Sequence, residues 1–399
     1  MPVYWNRSES QRMILRRLFW TFTLRMLFGV VALLAMLLAF WTTHYHRMQA
    51  NSAILNRIST HFGSSRGTIA VSQLAFRWSD PWVSNYGRIT DALVSPENDD
   101  DLQIIVPMSG LNRLWIGSNR FHVTDRAIRH VVQLPQLDDL DINSAGITDS
   151  SLADLQKLPL KRLSLNCATI TDDGLRHLVR VATLETLTLQ CDQVTVKGLQ
   201  HLSRLPKLQT LGIVYNPAID NDVAATVSTF KSLRDLSLFQ LTRSSPRLSP
   251  RACGQIARLP LSRLRLENIS IGDDGLNELA RCTTLTSLYL RNTDISDQGV
   301  EVLWRLTSLT ELSIINCPIS DRGMPGIAKC DSLTYLSLCG TGISDEGLNV
   351  LRSLRSLTEL DVLDTYVTEG AIRWLRCEKR TLTVFGPMGR FSDEPEIKY

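Results

Sequence analysis

The pattern L-x-x-L-x-L begins at Leu111 and returns at Leu137, Leu160, Leu184, Leu208, Leu233, Leu261, Leu285, Leu309, Leu333 and Leu357, at steps of 23 to 28 residues. In one unit, residues 285–308, Leu288 and Leu290 flank Tyr289 with the alternation of a strand that buries one face. The apolar spacing then changes. Ile295, Val300, Leu303 and Leu306 follow at steps of five, three and three, which predicts a loop and then a short helix with one apolar side. A unit this small cannot hide its apolar side alone, so neighbouring units must stack and share one elongated core. The predicted fold is an α/β solenoid: a right-handed arc with parallel strands on the concave face and short helices on the convex face.

Two polar features recur inside the units. Asp297 opens its helix, and Asp149, Asp172, Asp220, Asp273, Asp321 and Asp345 hold the same place, where a carboxylate is expected to cap the orphan backbone N–H groups of its own helix. Two residues later most units carry Gly, as at Gly174, Gly198, Gly275, Gly299, Gly323 and Gly347. Glycine is a poor helix former, so close packing between neighbouring units is the expected reason for it.

In these features the stretch 87–385 resembles the leucine-rich-repeat family. The segments ITDDGLRHL at 170–178, ISDQGVEVL at 295–303 and ISDEGLNVL at 343–351 are similar to its cysteine-containing subclass. That subclass is familiar from F-box-type adaptors, and the same signature is common among planctomycete-type bacterial proteins. The resemblance implies a solenoid and is nearly silent on function.

Ahead of the repeats, residues 26–43 read MLFGVVALLAMLLAFWTT without a charge, a helix of about 27 Å that suffices to cross a bilayer. Arg12, Arg16, Arg17 and Arg25 precede it, and Trp20, Trp41 and Tyr45 flank it. The positive-inside rule then keeps the N-terminus in the cytoplasm and predicts a single-pass signal anchor with an extracytoplasmic repeat region. The expected organisation is a basic N-terminus at 1–25, the transmembrane anchor at 26–43, a juxtamembrane stalk and cap at 44–85, about 11–12 repeats at 86–385, and an acidic tail at 386–399.

Charge and chemistry narrow the function. The net charge of +3 conceals an excess of six Arg over one Glu in residues 1–47, so the remaining chain is slightly acidic and offers no footprint for nucleic acid. The eight Cys are scattered without a C-x-x-C pair, and no phosphate-binding, nucleophile-elbow or zinc motif is present. His130, Asp154, His177 and His201 share one repeat position on the helical side, but helices of successive repeats pack too far apart for one metal ion. No catalytic residue, metal, cofactor or small-molecule substrate is expected, and the reading is a non-enzymatic, membrane-anchored scaffold for a protein partner. An F-box-type ubiquitin-ligase adaptor and a cell-envelope polymer-binding module are the alternatives. The outward strand positions form columns in which Tyr215, Phe239, Arg263, Arg265, Tyr289 and Arg291 fall close together. Aromatic residues and Arg dominate interface hot spots, so these six are the candidate partner-binding residues. The irregular loop at 241–251, LTRSSPRLSPR, is the second candidate surface.

Overall fold

Consecutive units pair strand to strand in strict chain order, and the sheet that results is the frame for everything else. The computed structural model describes residues 68–70, 91–96, 98–117, 123–215, 219–241, 247–386 and 389–391. Its strands in the first half are β1 Thr68–Ala70, β2 Asp91–Ser95, β3 Arg113–Gly117, β4 Asp139–Asn143, β5 Arg162–Asn166, β6 Thr186–Gln190, β7 Thr210–Tyr215 and β8 Asp235–Gln240. They continue as β9 Arg263–Glu267, β10 Ser287–Arg291, β11 Glu311–Ile315, β12 Tyr335–Ser337, β13 Glu359–Asp361, β14 Thr383–Gly386 and β15 Gly389–Phe391. All fifteen lie side by side in sequence order in one sheet.

From β3 to β14 the strands pair in parallel, as the repeat predicts. The ends depart from that expectation, because β1 runs antiparallel to β2 and β15 antiparallel to β14. Short helices connect the strands, for example Asp172–Leu178 and Val196–Leu202, while the unit at Leu285 carries a tighter 3-10 helix at Gly299–Arg305. The core is the row of repeat leucines: Leu140, Leu163, Leu187, Leu211, Leu236, Leu264, Leu288, Leu312, Leu336 and Leu360 are all buried.

Among the described residues no helix is long and apolar enough to cross a membrane. The span expected at 26–43 falls outside the described residues. The architecture that set a membrane helix ahead of the repeats, and the single-pass, extracytoplasmic location drawn from it, is therefore corrected to the repeat array alone.

The Asp at the head of each helix does something other than cap its own helix. In most repeats the cap is a Thr or Ser one residue earlier, and the Asp carboxylate reaches to the cap of the following repeat. Asp297 accepts the backbone N–H of Ser320 at 2.7 Å and its hydroxyl at 2.6 Å. The same pair of bonds joins Asp99 to Thr124, Asp125 to Thr148, Asp149 to Thr171 and Asp172 to Thr195. It resumes from Asp273 to Ser296, Asp321 to Ser344 and Asp345 to Thr368. Among the described residues only Asp220 of those expected caps its own helix, accepting from the N–H groups of Asp222 and Val223. It stands one residue earlier than the others, in the place of the Ser or Thr cap, with Asn221 where they have Asp. The glycine follows from this clip: a Cβ on Gly299 would overlap the carboxylate of Asp273, and one on Gly174 that of Asp149.

A second change divides the array. At the eighth place of the repeat, Ser144, Cys167 and Cys191 turn inward and are buried. From β9 onward that place holds Asn268, Asn292, Asn316, Gly340 and Asp364, all with φ between 51° and 68°, the left-handed region that Asn, Asp and Gly tolerate best. The next residue is buried in their stead, as Ile269, Thr293 and Cys317 are.

Candidate functional site

Strand alternation decides which side chains face outward over the sheet. With Leu264, Leu266, Leu288 and Leu290 buried, Arg263, Arg265, Tyr289 and Arg291 are turned to the other side. Register then sets neighbours. Ser237, Arg265 and Tyr289 stand in line across β8, β9 and β10, as do Phe239, Glu267 and Arg291, and Asp235, Arg263 and Ser287.

Within this frame the guanidinium of Arg265 lies 4.2 Å from the centroid of the Tyr289 ring. It also donates to Glu267 Oε2 at 2.9 Å, and Arg291 Nη1 approaches Glu267 Oε1 at 3.6 Å. The Glu267 side chain is 10% exposed, against 49% for Arg265 and 42% for Arg291, so two surface cations cover one buried carboxylate. Among the described residues Arg291 Nε is buried without a hydrogen-bond partner. Arg263 pairs with Asp235 at 3.0 Å, and Phe239 is half-buried beside Glu267.

Five of the six predicted residues are thus placed together: Phe239, Arg263, Arg265, Tyr289 and Arg291 lie on three adjoining strands. Tyr215 ends β7 opposite Gln240, and its side chain lies outside the described residues. Residues 242–246 of the second candidate surface also lie outside them. Glu267 and Asp235 were missed. The available signal was an acid next to an Arg of the same column on the adjoining strand, Glu267 beside Arg291 and Asp235 beside Arg263, which neutralises it and fixes its geometry.

Away from this cluster the outward face also carries acids, among them Asp139, which pairs with Arg113 and Arg162. Asp141 on β4 is half-buried, and burial pushes its carboxyl above the usual range, with the neighbouring charge of Asp139 adding to the rise and a hydrogen bond with Ser164 opposing it. Asp361 on β13 accepts from the Ser337 hydroxyl at 2.9 Å. Cations at β9 and β10 therefore stand between acids at β4 and at β13. Among the described residues no group of His, Cys, Asp and Glu is arranged to hold a metal ion. All eight cysteines are free.

Comparison with known proteins agrees with this geometry at the level of the fold. Residues 157–179 and 281–303 match the leucine rich repeat family. No curated protein matches the chain. Among solved structures, an internalin from Listeria monocytogenes is similar with a TM-score of 0.50 and 21% identity, over 76% of this chain and 87% of that one. The yeast complex of Rad7 and Elc1 is similar with a TM-score of 0.53 and 20% identity, over 72% of this chain and 78% of that one. These likenesses support a leucine-rich-repeat solenoid.

Proposed function

We propose that the chain is a non-enzymatic binding scaffold that takes a protein partner on the strand face centred on β8, β9 and β10. The observation that carries this reading is the prebuilt cluster in which Glu267 orients Arg265 and Arg291 and Arg265 stacks on Tyr289. Side chains already held in place lose less conformational freedom on association, and Arg and Tyr are the types most often found at the energetic centre of an interface. A solenoid of this class has also been observed in a protein complex, that of Rad7 with Elc1. Acids at β4 and β13 on either side of the cations would set the orientation of a partner with the opposite charge pattern.

The test is crosslinking and pull-down with the full-length chain, followed by affinity measurement on the captured protein. Arg265→Ala and Tyr289→Ala are each expected to weaken that affinity at least about tenfold, the loss of a hot spot. Unchanged affinity in both variants overturns the reading.

A further inference from the structure

On the helix side of the array a groove of about 600 Å³ opens around the helices Pro250–Ile256 and Gly272–Leu279, with Arg251, Gly254, Arg258, Glu278 and Arg281 in its walls. Residue 254 in its wall has no side chain. Arg176, Gln200, Asn277, Glu301 and Asn349 stand at the matching place in other repeats, and the smaller Ala153, Ala225 and Pro325 in three more. Gly254 has no positive φ, and the nearest atom to a Cβ built there is the terminal oxygen of the Glu278 side chain. Neither backbone nor packing demands glycine, although glycine weakens a helix.

The charges around the groove are also unexplained by local stability. Arg251 lies in the first turn of its helix, where the helix dipole disfavours a cation, and that turn holds no acid. Arg281 pairs with Glu278 at 3.0 Å, whereas among the described residues Arg251 and Arg258 have no acidic partner. Those two stand at opposite ends of the helix, Arg251 in its first turn and Arg258 two residues past its end. The place of Arg258 is held by Arg281, Arg305 and Lys329 in the repeats that follow, all exposed, so a line of cations continues along this edge on one side of the groove, while Thr229 interrupts it on the other before Arg204 and Arg180.

We propose that this groove receives an acidic segment of a partner polypeptide, its carboxylates pairing with Arg251, Arg258 and Arg281 and its backbone filling the space above Gly254. Arg305 and Lys329 of the following repeats extend the track, which suits an extended segment. A nucleic acid fits less well, because the chain beyond residue 47 is slightly acidic in sum and lacks the field that gathers a polyanion. The site uses no residue of the strand-face cluster and stands or falls separately from it.

The experiment is fluorescence anisotropy of the full-length chain with a labelled peptide of consecutive glutamates, and with a labelled oligothymidylate as the second arm. Saturable binding of the peptide is expected. It should weaken about tenfold in the double variant Arg251→Glu/Arg258→Glu, and likewise in Gly254→Gln, which fills the groove without touching its charge. Both changes are at exposed or groove-lining positions, and an unchanged melting temperature checks that each variant is folded. Arg355→Glu, at an exposed position outside both the groove and the strand-face cluster, should leave the peptide's affinity unchanged. No saturable binding, equal loss in Arg355→Glu, or tighter binding of the oligothymidylate would each overturn the proposal.

Discussion

Glu267 is the residue on which the strand face turns. Its carboxylate is nearly enclosed by the side chains it neutralises, so replacing it by Gln keeps the volume and leaves Arg265 and Arg291 without a counter-charge. The expected cost is about 1–3 kcal/mol, the range for losing a charged partner of a buried hydrogen bond. Urea unfolding of Glu267→Gln should show a lower midpoint at unchanged slope, and an unaltered midpoint would mean the pairing contributes nothing. Cysteine behaviour is also a residue-scale matter. Burial pushes the Cys167, Cys253 and Cys330 thiols up to about 12 and Cys191 up to about 11, and the thiol is not the reactive form. Cys377 is exposed, so native protein treated with iodoacetamide at neutral pH should be modified first and fastest at Cys377. Mass spectrometry of the native chain finding Cys167 labelled as fast would show that the repeats open freely. The outward columns were legible from alternation alone, since a period of two leaves no choice of face. Glu267 was not, because its burial comes from two long side chains folding over it from the same and the next strand.

At the scale of the element, the informative unit is the clip between repeats. Asp, the Ser or Thr cap and Gly were all visible as periodic positions, yet periodicity does not say whether a carboxylate serves its own helix or the next. In a solenoid a residue 23 positions away is as close as one two positions away. The structure resolves this with two bonds to the following cap and a glycine that leaves room for the carboxylate. Asp297→Ala removes both bonds, and a loss of about 1.5–3 kcal/mol is expected, more than the roughly 1 kcal/mol typical of a simple helix cap. Ser320→Ala, which keeps the backbone bond, should cost less. The clip is absent where Val196 replaces the Asp and Asp220 replaces the cap. Val196→Asp therefore should not restore it, because the new carboxylate would face Asp220; destabilisation of this variant in thermal melts is the expected result, and stabilisation would contradict the geometry.

For the molecule as a whole, the sequence displayed the order and parallel pairing of the repeats, since each unit repeats one physical problem. It did not display the antiparallel strands β1 and β15, which lie outside the repeat and so outside its periodicity. Nor did it show that the array consists of two clipped runs, Asp99 to Thr195 and Asp273 to Thr368, separated by a stretch with Val196, Asn221 and Pro250 at the Asp position. Within that stretch the contact from Asn221 to the Ser249 N–H, at 2.8 Å, is a single neutral bond in place of two charged ones. Stability in a stacked array is approximately a sum of repeat and interface contributions, so the weakest interfaces set where it opens. Amides of the helices Val196–Leu202 and Asn221–Val227 should consequently exchange with solvent faster than those of Asp172–Leu178, although all three lie in the interior of the array. Hydrogen exchange followed by mass spectrometry checks this directly. β8 and β9 of the candidate site fall in the same stretch, so a partner held across β8 to β10 would tie its weak interfaces together. Protection on binding should then be largest between residues 196 and 272, whereas uniform protection, or protection confined to the clipped runs, would separate the site from the weak point.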